Sequence, residues 1–153
     1  MNTQWNELKA AWTPRDCLDA NSLTVIENDT RYLHEELNKL PYSIPVQTYK
    51  VWDYSGIPVT DDIWRICENI KVIADYYYQP PKYERLSDIP NKESLNNVDM
   101  NDIEECLLWL YQSFKLLLRN YNTHLVLRNK PLTHTQLSAF KHIQIKKDWN
   151  ITT

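Results

Sequence analysis

Glycine is almost absent from this chain, because Gly56 is the only one among 153 residues. Phosphate-binding loops, dinucleotide fingerprints and nucleophile elbows all need glycine where the backbone adopts a positive φ or approaches a ligand closely. The sequence therefore excludes these three kinds of site. Tight hairpins that turn on glycine are not expected either, which argues against an all-β fold.

Cysteines and long apolar runs are also scarce. Cys17, Cys67 and Cys106 are odd in number and widely spaced, a pattern that predicts neither a disulfide framework nor a local zinc site. No apolar run approaches the roughly 18 residues that span a bilayer, and the opening residues lack the apolar core of a signal peptide. We expect a soluble protein that binds no metal, no cofactor and no membrane.

Helical periodicity occurs in three stretches. Helices are predicted over about Ser22 to Lys39, Asp61 to Tyr78 and Met100 to Asn120. A gapless alignment with a shift of about 40 residues superimposes the three stretches. The predicted fold is all-α: a bundle of three long helices from a degenerate repeat of a helix plus a long extended link. The predicted core consists of apolar positions three and four residues apart: Leu23, Ile26, Leu33, Ile63, Ile66, Ile70, Ile73, Ile103, Leu107, Leu110, Phe114 and Leu117.

The helix ends and the links carry further expectations. Thr60 is predicted to cap the second helix and Asp99 the third. The links 41–60 and 80–99 are long enough to return along the bundle, so that the three helices lie roughly parallel. Trp52 and its aromatic neighbours in the first link are expected on the bundle surface. Residues 1–20 are predicted to form a short helical turn whose two tryptophans, Trp5 and Trp12, pack on the core; the alternative is that they anchor a partner.

Charge divides the chain unevenly. Residues 1–114 contain 10 Lys and Arg against 19 Asp and Glu, whereas residues 115–153 contain 7 against 1, so the first part is near −9 and the last near +6. We predict a helical domain over residues 1–120 and a basic attachment or oligomerisation segment over 121–153. In that segment H-x-Q-(L/I) occurs twice, eight residues apart. The candidate interface residues are His134, Gln136, Leu137, Phe140, His142 and Trp149.

Catalysis and metal binding are not predicted. His134 and His142 lack a companion ligand at the spacing a helix-borne metal site requires. The acidic pairs Asp61/Asp62 and Glu104/Glu105 stand at helix starts, which favour acids in any case, and adjacent residues on a helix face different directions. The alternative to an assembly protein is a small intracellular protein that binds a host factor or nucleic acid through its basic segment; nucleic acid is the less expected partner.

A resemblance to a known family rests on several short motifs. W-x-x-x-D at 12–16, followed by x-x-I-E-N-(N/D)-x-x-Y-L at 24–33, resembles the opening of small tail-associated structural proteins from phages and prophages of Gram-positive bacteria. Residues 64–70 resemble a second copy of the family's N-R-I-E-x-N motif, and 101–104 a third, in a register that conflicts with the gapless alignment. T-H-x-x-L at 133–137 is similar to short repeats in phage tail-fibre and baseplate proteins.

The resemblance has departures and consequences. Trp64 and Cys67 stand where the family motif has Asn and Glu. The resemblance implies a virion protein of a tail, baseplate or fibre connector, present in the host cytoplasm before assembly, and it brings no catalytic residues. The expected partners are further copies of the chain and other tail proteins.

Overall fold

Helices connected by long irregular segments form the structure. The computed structural model describes the backbone of residues 4–128 and the side chains of residues 4–122. The elements are α1 (Ala20–Asn38), α2 (Thr60–Tyr76), α3 (Arg85–Asp88), a 3-10 turn (Ile89–Asn91) and α4 (Asn97–Arg128). Residues 4–128 contain no β-strand. The all-α prediction is therefore confirmed for the described part of the chain.

The packing of the chain divides it inside α4. One compact unit ends at Lys115 and a second begins at Leu116. The predicted domain boundary lies between residues 120 and 121, a few residues further along the same helix.

Most of the predicted core positions are buried. In α1, α2 and the first part of α4, the buried side chains are Leu23, Ile26, Leu33, Ile63, Ile66, Ile70, Ile73, Ile103, Leu107, Leu110 and Phe114. Leu117, in the second unit, is only partly buried. Segments outside the long helices add further apolar side chains to the core of the first unit: Trp12, Ile44, Trp52, Leu86 and Ile89.

The helix starts differ from the sequence prediction at two caps. Asp19 caps α1, since its side chain accepts the Ser22 amide at 2.7 Å. Thr60 is not the cap of α2 but its first residue, and the carboxylate of Asp62 instead accepts the Val59 amide at 3.2 Å. The acid in the first turn of α2 therefore satisfies a backbone amide that the helix itself leaves without a partner.

Asp99 does not cap α4 either. Asn96 has that position, and its side-chain oxygen accepts the amides of Val98 and Asp99 at 2.9 and 3.0 Å. The Asp99 carboxylate accepts the Asn96 amide in return, at 3.2 Å. This reciprocal pair is a capping box, and it starts the helix earlier than the apolar periodicity predicts.

Contacts between α1 and α2 occur in the same order along both helices. Glu27 of α1 pairs with Arg65 of α2 at 2.5 Å, and beyond the two helix ends the rings of Tyr42 and Tyr77 meet at 5.1 Å. This order indicates that α1 and α2 run in the same direction. Tyr32 of α1 meets both Tyr111 and Phe114 of α4 at 6.3 Å between ring centroids.

The connecting segments also differ from expectation. Residues 4–19 contain no helix, and Trp12 is buried within them while Trp5 is half-buried. The second link is not extended throughout, because it contains α3 and the 3-10 turn, whose Leu86 and Ile89 are buried. Trp52 in the first link is buried rather than on the surface. These segments therefore complete the core that the long helices leave open.

Candidate interaction surface

The interface predicted from the sequence lies outside the described residues. This applies to all six candidate side chains: His134, Gln136, Leu137, Phe140, His142 and Trp149. Among the described side chains, no three His, Cys, Asp or Glu residues come together as a metal site. No helix within residues 4–128 has the length and apolar character of a membrane span.

The first link exposes a run of apolar side chains that we call the apolar link surface. Tyr54 and Val46 are each 95% exposed, Val51 and Ile57 are each 84% exposed, and Val59 is 59% exposed. The surface consists of Val46, Val51, Tyr54, Ile57 and Val59. Large apolar side chains so close together along an exposed segment are characteristic of surfaces that bind another macromolecule.

Hydrogen bonds between the link and α2 hold the backbone that carries this surface. The Gln47 side-chain amide donates to the Asn69 carbonyl at 2.7 Å, and the Asn69 side-chain amide donates to the Thr48 carbonyl at 2.8 Å. Asn69 is itself buried. The link is therefore fixed beside α2 at this point, although it has no regular secondary structure.

Trp52 is the second anchor of the link. Its side chain is buried, and its indole N–H donates to Glu27 Oε1 at 3.4 Å. Lys50 lies over the indole ring at 4.2 Å from the ring centroid and forms an ion pair with Asp62 at 3.1 Å. Val51, which lies between Lys50 and Trp52 in the sequence, is 84% exposed. The extended backbone thus turns one residue inward and its neighbour outward.

A charged cluster lies beneath the anchor. Arg65 pairs with Glu27 at 2.5 Å and approaches Asp62 at 3.6 Å. Burial raises the pKa of Glu27, although the hydrogen bond and charge of Arg65 oppose the shift. Burial also acts to raise the pKa of Asp62, but the Val59 amide, Lys50 and Arg65 together lower it. The two carboxylates share one guanidinium, so the link, α1 and α2 are coupled at this point.

Two small cavities lie along α2, and only the first of them is lined by a residue of the apolar link surface, Val59. One, of about 210 Å³, lies between the start of α2 and the 3-10 turn, and Val59, Ile63 and Ile89 are among its lining residues. The other, of about 130 Å³, is next to Trp64, whose side chain is 57% exposed. Both are smaller than typical small-molecule pockets of roughly 300–1,000 Å³.

Residues 4–12, which we call the strap, contain no helix and bind to both α1 and α4. The Asn6 amide and side-chain amide both donate to Asp29 Oδ1, at 2.8 and 2.9 Å. The Ala10 amide donates to Glu104 Oε2 at 2.6 Å, and Ala10 has a φ of 56°. A left-handed alanine costs about 1–2 kcal/mol, so the contacts of the strap must hold it in that conformation.

Asparagine and aromatic contacts hold both ends of the strap. Asn101 accepts the Trp12 amide at 2.7 Å and donates to the Trp12 carbonyl at 3.0 Å. Trp5 stacks on Tyr111 with 3.8 Å between ring centroids and 3° between planes. The strap is therefore bound through its backbone at three residues and through an aromatic ring at its start.

The same asparagine contact recurs at the end of α1. Asn38 accepts the Ile44 amide at 2.6 Å and donates to the Ile44 carbonyl at 3.1 Å. Ile44 is buried, as Trp12 is. In both places one helix asparagine pairs with both backbone groups of a buried residue in an extended segment.

Ion pairs tie the second link to the start of α4. Lys82 and Arg85 pair with Asp102 at 2.8 and 2.9 Å, and Arg85 also pairs with Asp99 at 3.1 Å. Lys92 pairs with Asp99 as well. Both acids are buried. Three cations thus surround two buried carboxylates and fix α3 on α4.

Comparison with known proteins gave no match among protein-family models, curated proteins or solved structures.

Several of these features have no simple signal in the sequence. Acids within amphipathic helices indicate solvent-facing positions or helix starts, yet Glu27, Asp29 and Glu104 are buried. Their partners come from segments 23 to 94 residues away. Lys50, Val51 and Trp52 likewise form no periodic pattern that would show from the sequence which of the three side chains is buried.

Proposed function

We propose that this chain is a non-enzymatic assembly protein that associates with copies of itself and with neighbouring proteins through the apolar link surface. The observation that carries the proposal is the exposure of Val46, Val51, Tyr54 and Ile57, each at least 84% exposed, on a backbone fixed by internal contacts. The specific setting we propose is a phage virion, as a tail, baseplate or fibre-connector component.

The energetics of the link favour association. Burying a fully exposed Val, Ile or aromatic side chain contributes about 1.5–3 kcal/mol. Binding through a flexible loop would lose much of this gain to the ordering of the backbone. Here Asn69 and Trp52 already order the link on either side of Val51, so less ordering remains to oppose association.

The repeat origin of the fold is part of the proposal. In the gapless alignment Asp29 of α1 corresponds to Asn69 of α2, and each is bonded to the backbone of the extended segment that precedes its helix. The common direction of α1 and α2 also agrees with duplication of a helix plus a returning link. These features support a common origin for α1 and α2, and the gapless alignment extends the proposal to α4.

The virion setting draws on the family resemblance. The motifs at 12–16 and 24–33 connect the chain to small tail-associated phage proteins. The charge difference between residues 1–114 and 115–153 suits the attraction of one subunit's basic segment to the acidic part of another. The protein would be made in the host cytoplasm and end in the tail or baseplate.

The test is the solution mass by light scattering after gel filtration. The full chain, a chain ending at Asn129 and the double variant Tyr54→Ser, Ile57→Ser are compared. Tyr76→Ser is the matched control, because Tyr76 is an exposed tyrosine on α2 outside the link. Circular dichroism confirms that each chain is folded.

We expect an oligomer for the full chain and for Tyr76→Ser, and a folded monomer for the double variant. A folded monomer for the chain ending at Asn129 would add the last segment as a second assembly element. A double variant that keeps the full chain's mass would contradict self-association through the apolar link surface. If every chain is a monomer, self-association is wrong.

A further inference from the structure

Six acidic side chains are buried in the first unit, and they differ in their partners. Four of them pair with Lys or Arg: Glu27, Asp62, Asp99 and Asp102. No ion pair within the described residues involves the other two, Asp29 and Glu104. These two acids are also the ones that hold the backbone amides of the strap.

Asp29 lies in an environment without a compensating charge. Its Oδ1 accepts both Asn6 bonds, whereas its buried Oδ2 has no hydrogen-bond partner among the described groups. The negative charge of Glu104, which binds the strap from α4 through the Ala10 amide, also acts on Asp29. Burial raises the pKa of Asp29 to about 6, the Asn6 hydrogen bonds oppose the shift, and the negative charge of Glu104 adds to it.

The neighbouring cations on each packed element are bonded to other groups. In the strap, Lys9 pairs with Asp16. On α1, Arg31 donates to Asn28 at 3.0 Å and lies over the Tyr49 ring. On α2, Arg65 pairs with Glu27 and Asp62.

We propose that the strap is a proton-controlled clasp, bound more tightly to α1 and α4 when Asp29 is protonated and more weakly when Asp29 is ionised. A proton on the partnerless Oδ2 removes the repulsion between the two acids, while Oδ1 keeps both bonds from Asn6. When Asp29 is ionised, release of the strap admits water to both carboxylates and so relieves their burial.

The direction and size of the effect follow from linkage. Asp29 binds its proton more tightly when the strap is bound, so lower pH favours the bound strap. With a pKa of about 6 in the bound form and an ordinary value of about 3.8 in the released form, the binding equilibrium of the strap strengthens about tenfold between pH 7 and pH 5.

Amide hydrogen exchange of the full chain tests the proposal. Protection factors, which are rates relative to an unstructured peptide at the same pH, are measured at pH 5, 6 and 7 for Asn6 and Ala10. Ile70, buried in α2, reports global unfolding. The variants are Asp29→Asn, Glu104→Gln and, as a matched control on a buried acid that has cation partners, Asp102→Asn.

We expect the protection of Asn6 and Ala10 to rise about tenfold from pH 7 to pH 5 while that of Ile70 changes much less. Asp29→Asn should give high protection that does not vary with pH. Glu104→Gln should move the transition to lower pH, and Asp102→Asn should leave it in place. An unaltered tenfold change in Asp29→Asn, or an equal change at Ile70, would overturn the clasp.

A second measurement covers the case in which Asp29→Asn does not fold. The carboxyl carbon of Asp29 in the unmodified chain is titrated by NMR. A midpoint near pH 6 supports the clasp, and one near the ordinary 3.8 refutes it.

Discussion

Trp52 holds the apolar link surface in place. Comparing its removal with the removal of the exposed Tyr54 should separate effects on stability from effects on assembly. Trp52→Ala empties a buried site that is 7% exposed, between α1, α2 and the link. Replacing a buried tryptophan by alanine costs about 3–5 kcal/mol through lost burial and the cavity that remains. In a chain of this size about 1 kcal/mol lowers the midpoint of thermal unfolding by about 2–4 °C. We therefore expect a loss of about 6–20 °C.

Tyr54→Ala is the matched control, two residues further along the same link. Tyr54 is 95% exposed, so its replacement should change the free energy of unfolding by less than about 0.5 kcal/mol. It should nevertheless weaken association. Trp52→Phe distinguishes packing from hydrogen bonding: the indole N–H lies 3.4 Å from Glu27, a long contact, so we expect the phenylalanine variant to retain most of the stability.

Urea and thermal unfolding, each followed by circular dichroism at 222 nm, measure all three variants, and light scattering measures their mass. A loss below about 1 kcal/mol in Trp52→Ala would refute the reasoning, because it would mean that Trp52 does not fill a core site. So would equal losses in Trp52→Ala and Tyr54→Ala, since the two side chains differ so widely in exposure.

Two further predictions concern the core and the loss of stability at low pH. Leu110→Asp should abolish soluble folded protein, because Leu110 is fully buried and a carboxylate there would be unpaired. The control, Gln112→Asp on the exposed side of α4, should remain soluble. The soluble fraction and the helical circular dichroism signal are measured, and a folded Leu110→Asp would contradict the assigned core. Burial acts to raise the pKa of Asp102, but Lys82 and Arg85 lower it, so its stabilisation is present above its ordinary value near 3.8 and is lost as pH falls below that. Urea unfolding at pH 5 and pH 3 should show a loss that is smaller in Asp102→Asn; an equal loss would exclude Asp102 as a source.

Periodicity predicts the long helices because their apolar positions share one face, and the two helices with Pro41 and Pro80 beyond them end close to where expected. The start of α4 was wrong because a capping box at Asn96 and Asp99 initiates the helix ahead of its apolar stripe. The predicted surface position of Trp52 was also wrong, because a residue in a long link has no periodicity to show which way it points.

The apolar link surface was harder to predict from the sequence than the helices were. Exposure of Val46 and Tyr54 depends on which neighbours are held inward, and those contacts come from α1 and α2, far away along the chain. The acids of the strap site are a sharper case. An acid in an amphipathic helix predicts solvent contact, whereas Asp29 and Glu104 are buried and accept backbone amides of the strap.

The paired contacts of Asn38 with Ile44 and of Asn101 with Trp12 have a consequence for how the chain can vary in length. A primary amide carries the same donor and acceptor as a peptide group, so each asparagine replaces a single rung of a β-ladder. In a ladder of many rungs, slipping by one residue moves every side chain to the opposite face. A single-residue contact sets the inward side chain at that residue without a ladder around it. An insertion or deletion between Trp12 and α1, or between α1 and Ile44, can therefore alter loop length without changing which residue enters the core.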